Sequence, residues 1–434
     1  MSVARGGLRG AQLLVESQDD LPMVWFQVAV RGGAASDPVG AAGFSHHLMQ
    51  LSRRGAGTRD RLALDTDLDV LGASLDAWAH RDALMLSGLC LRRNLERVVE
   101  MAADVLAAPT MSRAEHDKLL RETQLSLDDI RDDDAQLAMR FFHRDCVPGH
   151  PYARTVRGTE ASLQAIELDA VRSAHARTLV PENLIVGLAG ALDEADAEAC
   201  ATRLLDRLPD RKPPPPPALE GPDAPRGRRL LVVDKPERSQ SQIVIGHLAP
   251  RFGEPGTYAF MLVEAIFGGM FCSRLMQEIR VERGWSYGAD CYWYRSRGPH
   301  WFTMQLAPPT EVTGDALALA LTLLEDLVAH GVTEDELAFA KRYLAGNLPF
   351  RRSTARRRME GRIRGRLSGL PEDFTDTLPA QLQAVTKEQA DVAARRFLRP
   401  DDALCVLVTS ADAVLSTLPN GLRARAEIVA HDSY

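Results

Sequence analysis

The 434-residue sequence contains no C-x-x-C pair. Its six cysteines, Cys90, Cys146, Cys200, Cys272, Cys291 and Cys405, lie far apart, which excludes a zinc ribbon and a dense disulfide scaffold and leaves them as free, mostly buried thiols. No stretch approaches eighteen uninterrupted apolar residues, and the first ten residues, Met1 to Gly10, carry no apolar signal core, so no transmembrane helix is expected. The expectation is a cytoplasmic protein, or a periplasmic one if a leader was removed. Positive charge is not in excess: 52 Lys and Arg stand against 59 Asp and Glu, a formal charge of −7. That excludes a general nucleic-acid binder, because neutralising phosphates takes a positive surface. What remains is ordinary globular composition, 45% apolar and 26% charged, in a chain long enough for two or more domains.

Residues 11–17 and 21–30 read as adjacent strands separated by the polar turn Gln18-Asp19-Asp20. Helices are expected over 43–54 and 61–72, strands over 74–80 and 83–91, and an amphipathic helix over 93–106. Ser112, three residues before Glu115, opens a long helical run to about Phe142. A helix near 167–178, a strand over 184–189 and a helix over 193–207 close the first half. Five consecutive prolines, Pro213 to Pro217, follow and can continue neither a helix nor a central strand, so residues 209–228 read as a linker between domains over 1–208 and 229–434. The second half repeats the order of the first: strands over 229–234 and 241–247, a helix over 256–267, strands over 286–293 and 300–306, two helices, and a strand over 403–409. The expected fold class is α+β, two duplicated domains, each a mostly antiparallel sheet covered by helices.

The segment Gly43-Phe44-Ser45-His46-His47-Leu48-Met49-Gln50 is the chemical focus of the first half. An H-x-x-E-H helix holds zinc with two imidazoles one turn apart and uses the intervening Glu to deprotonate the bound water. Here His46 fills the first place, Met49 stands at the base and Gln50 at the second imidazole. A thioether takes no proton from water, and a neutral amide is a poor zinc ligand.

With its other blocks, Gly33 to Pro38, His150-Pro-Tyr with Gly158-Thr, Pro181-Glu-Asn183 and Phe267 to Leu275, the chain resembles the pitrilysin-like (insulinase-type) metallopeptidases along nearly its whole length, especially half-length members related to mitochondrial processing peptidase. The resemblance implies that Glu122 matches a supporting carboxylate and that Asp129 stands, one methylene short, at the third ligand position, so that this chain itself holds no metal and needs no cofactor. It also implies a substrate-binding pair: Arg280 and Tyr287, seven residues apart, match the Arg and Tyr that face the zinc site and support the tetrahedral intermediate. The implied protein is half of a clamshell, the non-zinc subunit of a bacterial heterodimeric zinc endopeptidase. Its partner would be a homologous subunit with an intact H-x-x-E-H motif and zinc, its substrate a peptide, and this chain alone no enzyme.

Plainer readings stand beside these. His46 and His47 point about 100° apart on a helix, and such a pair taken alone is more often capping or surface residues than ligands. Glu122 and Asp129 read as solvated carboxylates, Arg280 as a helix-end charge and Tyr287 as a strand residue at a core edge. The basic stretch Arg351 to Arg366 reads first as a solvated helix face and second as a surface for acidic peptides or an acidic partner. At the level of the whole chain the alternatives are an inert scaffold or regulatory subunit, and a homodimeric peptidase using His46, His47 and Asp129 as ligands.

Overall fold

The computed structural model describes residues 4–217, 219 and 225–434. Of the segment 209–228, residues 218 and 220–224 lie outside the described residues, as do Met1 to Val3; the prolines 213–217 are in neither helix nor strand. Two compact units form.

The first unit holds the strands β1 (Ala4–Leu8), β2 (Ala11–Ser17), β3 (Met23–Arg31), a two-residue hairpin β4 (Gly55–Ala56) and β5 (Arg59–Asp60), β6 (Ser74–Ala79), β7 (Ala83–Leu91) and β8 (Leu184–Gly190). Its six-stranded sheet has the order β1-β2-β8-β3-β7-β6. The two segments expected to be adjacent are therefore not paired: β8 runs between β2 and β3, parallel to the first and antiparallel to the second. The tight hairpin instead joins β1 to β2 through Arg9-Gly10, both at positive φ (50° and 86°), the geometry of a two-residue turn that matches strand twist. β3 is buried along nearly its whole length because both its faces are covered, which is why it reads as a continuous apolar run and not as an alternation.

The helices of the first half are α1 (Phe44–Ser52), α2 (Arg61–Leu71), α3 (Leu95–Ala107), α4 (Arg113–Asp132), α5 (Asp134–Cys146), α6 (Glu160–Gln164), α7 (Leu168–Thr178) and α8 (Glu194–Leu205). The long run expected from Ser112 to Phe142 is two helices. Asp133 ends α4 with extended backbone (ψ 101°) and caps α5, its carboxylate accepting from the backbone N–H groups of Ala135 and Gln136 at 3.0 Å.

The second unit holds β9 (Arg229–Asp234), β10 (Gln242–Ala249), β11 (Ala289–Tyr294), β12 (His300–Leu306), β13 (Leu404–Thr409) and β14 (Ala426–Ala430), in the order β11-β12-β10-β13-β9-β14. Reversed, this order repeats the first sheet over five strands. β9 pairs parallel with β13 as β2 does with β8, and the antiparallel run β13-β10-β12-β11 matches β8-β3-β7-β6. The outer strand breaks the repeat, since β1 is antiparallel to β2 whereas β14 is parallel to β9. The helices of the second half are α9 (Thr257–Glu264), α10 (Thr313–His330), α11 (Glu334–Arg351), α12 (Ala355–Leu367), α13 (Phe374–Ala384), α14 (Lys387–Phe397) and the single turns α15 (Ala411–Val414) and α16 (Asn420–Arg423), with wider π turns at Ala265–Gly269 and Met276–Val281.

Each unit takes one helix from the other half of the sequence. Residues 128–153, with α5, belong to the second unit, where α5 packs on β10 and β13; residues 349–369, with α12, belong to the first, where α12 packs on β8 and β2. The basic stretch is thus half docked, with Ala355, Met359 and Ile363 buried in a core with Leu14, Trp25, Ala29 and Ile185. Arg358 and Arg362 each donate at 2.6 Å to the carboxylate of Glu16, which is 1% exposed.

Candidate functional site

The metal-motif helix α1 starts at Gly43, whose φ of 93° suits glycine and whose added Cβ would meet the Arg157 carbonyl oxygen at 2.8 Å. Its N-terminus is capped from six residues upstream: the buried Asp37 carboxylate accepts from the Gly43 and Ser45 N–H groups, both at 2.9 Å. Burial pushes the Asp37 carboxyl up to about 6, against the opposing pull of those hydrogen bonds and of Arg154.

Along α1 the motif positions are engaged in structural contacts. Met49 is buried in the core. Gln50 donates from its amide to the Ala77 carbonyl on β6 at 2.6 Å. His46 is partly exposed, and burial together with the Arg157 charge pushes it down to about 4, so it is neutral at pH 7. His47 is fully buried and shares a 2.9 Å hydrogen bond, Nε2 to Nδ1, with His116 of α4, the rings meeting edge to face at 4.7 Å. Burial, then the neighbouring His116, pushes His47 down to about 3, and burial also lowers His116. The pair is neutral.

Glu122 on α4 is bound by Arg54, which follows α1 and also reaches Glu115 at 3.2 Å. The Arg54 hydrogen bond holds the Glu122 carboxyl below the usual carboxylate range. Asp129 is exposed near the end of α4. These residues do not fit zinc: one neutral imidazole, a thioether in the core, an amide tied to a backbone carbonyl and a carboxylate tied to arginine make no tetrahedral donor set. Among the described residues no group of three or more His, Cys, Asp or Glu is disposed to hold a metal ion.

The second unit presents a different constellation. Arg280 lies in the π turn Met276–Val281, a rare local geometry that recurs at functional sites. Its guanidinium carbon is 4.5 Å from the ring centre of Tyr287 and 4.9 Å from that of Phe271. Tyr287 sits in the loop before β11, not in the strand expected over 286–293, and is 87% exposed rather than filling a core edge. Ser286 ties that loop to the end of β12, donating to the Gly288 carbonyl at 2.5 Å and accepting from the Ala307 N–H at 2.9 Å. Neither Arg280 nor Tyr287 makes a hydrogen bond or ion pair among the described residues, so their donors face solvent. Asp290 is near enough for the Arg280 charge to act on it, yet burial, the larger effect, raises its carboxyl pKa. Four of the six exposed aromatic side chains among the described residues, Phe271, Tyr287, Tyr292 and Tyr294, fall within this segment.

Sequence reasoning thus singled out His46, Met49, Gln50, Glu122, Asp129, Arg280 and Tyr287, and the structure brings the last two into contact. It missed Asp37, Arg54, His116 and Phe271, whose partners lie at spacings that no local pattern encodes.

Comparison with known proteins gives the family and the fold. The family model described as insulinase (peptidase family M16) matches residues 13–160, and the one described as the peptidase M16 inactive domain matches residues 165–344. An uncharacterized zinc protease of Mycobacterium bovis is 26% identical over 380 residues, 86% of this chain and 85% of that protein. A non-peptidase homolog of Helicobacter pylori is 22% identical over 401 residues, 92% of this chain and 91% of its own length. Among solved structures, a peptidase M16 inactive domain from Pseudomonas fluorescens superposes with a TM-score of 0.85 at 24% identity, covering 94% of this chain and 98% of that one. The first half of the periplasmic protease PqqL from Escherichia coli gives 0.79 at 16% identity, covering 96% of this chain and 94% of that one, and the whole of PqqL matches over 49% of its length. These likenesses show the same fold. With the two family models together matching most of its length, the chain belongs to the insulinase (peptidase M16) family.

Proposed function

We propose that this chain is the non-zinc subunit of a heterodimeric zinc metalloendopeptidase. In this reading Arg280 and Tyr287 bind the substrate backbone and stabilise the transition state in a site whose zinc and general base come from a homologous partner with an intact H-x-x-E-H helix. The observation that carries it is the Arg280–Tyr287 pair: a guanidinium and a phenol held together on the surface, with no acceptor among the described residues. Donors aimed at a carbonyl oxygen on which negative charge develops lower the barrier, and loss of one costs about 100-fold in kcat. The division of labour is supported by the α1 positions, where core packing and backbone hydrogen bonding replace metal ligation. It is also supported by the match to half the length of PqqL, which leaves room for a second, homologous half.

The test is peptide cleavage with zinc quantified for this chain, for a partner carrying H-x-x-E-H, and for the two mixed. Activity of the mixture far above that of the partner alone, falling about 100-fold in Arg280→Ala and Tyr287→Ala, is the expected result. A scaffold or regulatory role is the second reading, favoured by the likeness to a protein named a non-peptidase homolog. Equal activity of partner and mixture would establish it.

A further inference from the structure

Arg280 is held by ring faces and not by a carboxylate. In the structure its guanidinium lies by the rings of Phe271 and Tyr287, at 4.9 Å and 4.5 Å, and forms no ion pair with Asp290, whose carboxylate its charge nevertheless reaches. Ring faces attract a guanidinium without consuming its N–H donors, whereas a carboxylate binds those donors in the plane of the fork. An arginine that collapsed onto Asp290 would have no donors left for a substrate carbonyl. Tyr287 is almost fully exposed and held only through its loop, so it constrains Arg280 weakly by itself. Phe271 is the second wall. It sits between the π turn Ala265–Gly269 and Ser273, and Ser273, through its carbonyl, accepts from the Gln277 N–H at the start of the segment that carries Arg280. Its ring is 62% exposed, so it adds little to the core, and the Arg280 guanidinium lies 4.9 Å from its centre.

We propose that Phe271 is a positioning residue: by holding the Arg280 guanidinium against its ring it keeps that group off Asp290 and leaves the N–H donors free for a peptide carbonyl. This rests on the reading of Arg280 as a substrate-binding donor. The same exposed ring, beside Tyr287, gives the site an apolar wall and therefore a preference for peptides with a large apolar or aromatic side chain next to the bound carbonyl.

The decisive experiment is a double-mutant series in the active mixture with the H-x-x-E-H partner, using a fluorogenic peptide with Phe next to the cleaved bond and its Ala counterpart. Phe271→Ala is expected to lower kcat/KM for both peptides, about two- to fivefold for the Ala peptide and more for the Phe peptide, in line with the loss of an exposed cation–π contact. Phe271→Tyr should retain it. Asp290→Asn alone should change little, whereas adding it to Phe271→Ala should restore most of the loss on the Ala peptide, because the competing acceptor is gone. A direct readout needs no partner: in the isolated chain Phe271→Ala should shift the Asp290 carboxyl titration to lower pH, as Arg280 closes on it. If Arg280→Ala impairs cleavage but Phe271→Ala does not, or if Asp290→Asn fails to rescue and the Asp290 titration stays put, the positioning role is overturned while the substrate-binding reading survives. If Arg280→Ala itself leaves cleavage unchanged, that reading fails first.

Discussion

Single side chains show how α1 is held in place. Asp37 replaces what a local cap would supply, accepting two N–H groups at the start of α1 from across a loop. Asp37→Ala should cost about 1–2 kcal/mol in denaturant unfolding, and Asp37→Asn, which keeps an acceptor, distinctly less. The His47–His116 pair sets an acid limit. Both histidines titrate lower in the folded protein than the ordinary 6.5, so the unfolded chain binds more protons below that pH. Their contribution is complete above about 6.5 and is lost as pH falls from there toward 3. Denaturation at pH 7 and pH 5 should show the native protein losing about 1–2 kcal/mol more than His47→Asn over that interval, and equal losses would mean the pair is solvated. Neither Asp37 nor His116 carries a spacing that marks it in the sequence, because each meets α1 only after the chain has turned back.

Elements carry the duplication. A core strand buried on both faces needs a helix on each, and one of those helices in each unit comes from the other half of the sequence. The sheets accommodate these helices with glycine: at Gly187 an added Cβ would stand 2.7 Å from Ile363 of α12, and at Gly246 it would stand 2.8 Å from Phe142 of α5 and 2.3 Å from the Phe302 carbonyl oxygen. Gly187→Ala should destabilise the protein by about 1–3 kcal/mol through displacement of α12, read as a lower unfolding midpoint and faster proteolysis within 349–369. Glu16→Gln should do the same by a different route, leaving Arg358 and Arg362 without their shared carboxylate at a cost of about 3 kcal/mol. The run of arginines in α12 therefore owes its position to a buried glutamate, and the apolar side of the helix, Ala355, Met359 and Ile363 at four-residue spacing, carried the signal of docking.

For the whole molecule, the contacts made by Met49 and Gln50 predict independence from metal. The purified chain should hold far less than one equivalent of zinc by elemental analysis, and chelator should leave its melting temperature unchanged. A chelator-induced drop would mean that His46, His47 or Asp129 binds metal after all. Much of the molecule was legible in the sequence because it follows local rules. The presence of Met49 and Gln50 downstream of His46, the recurrence of strand and helix order in both halves and the seven-residue spacing of Arg280 and Tyr287 depend only on which residues occupy which positions. Tertiary structure alone decided the insertion of β8 between β2 and β3, the exchange of α5 and α12, the burial of His47 against His116 and the meeting of Phe271 with Arg280. Each of these joins segments distant along the chain or separated by a turn, and is fixed by which apolar faces must be covered and which buried polar groups must find partners, a condition that only the folded whole satisfies.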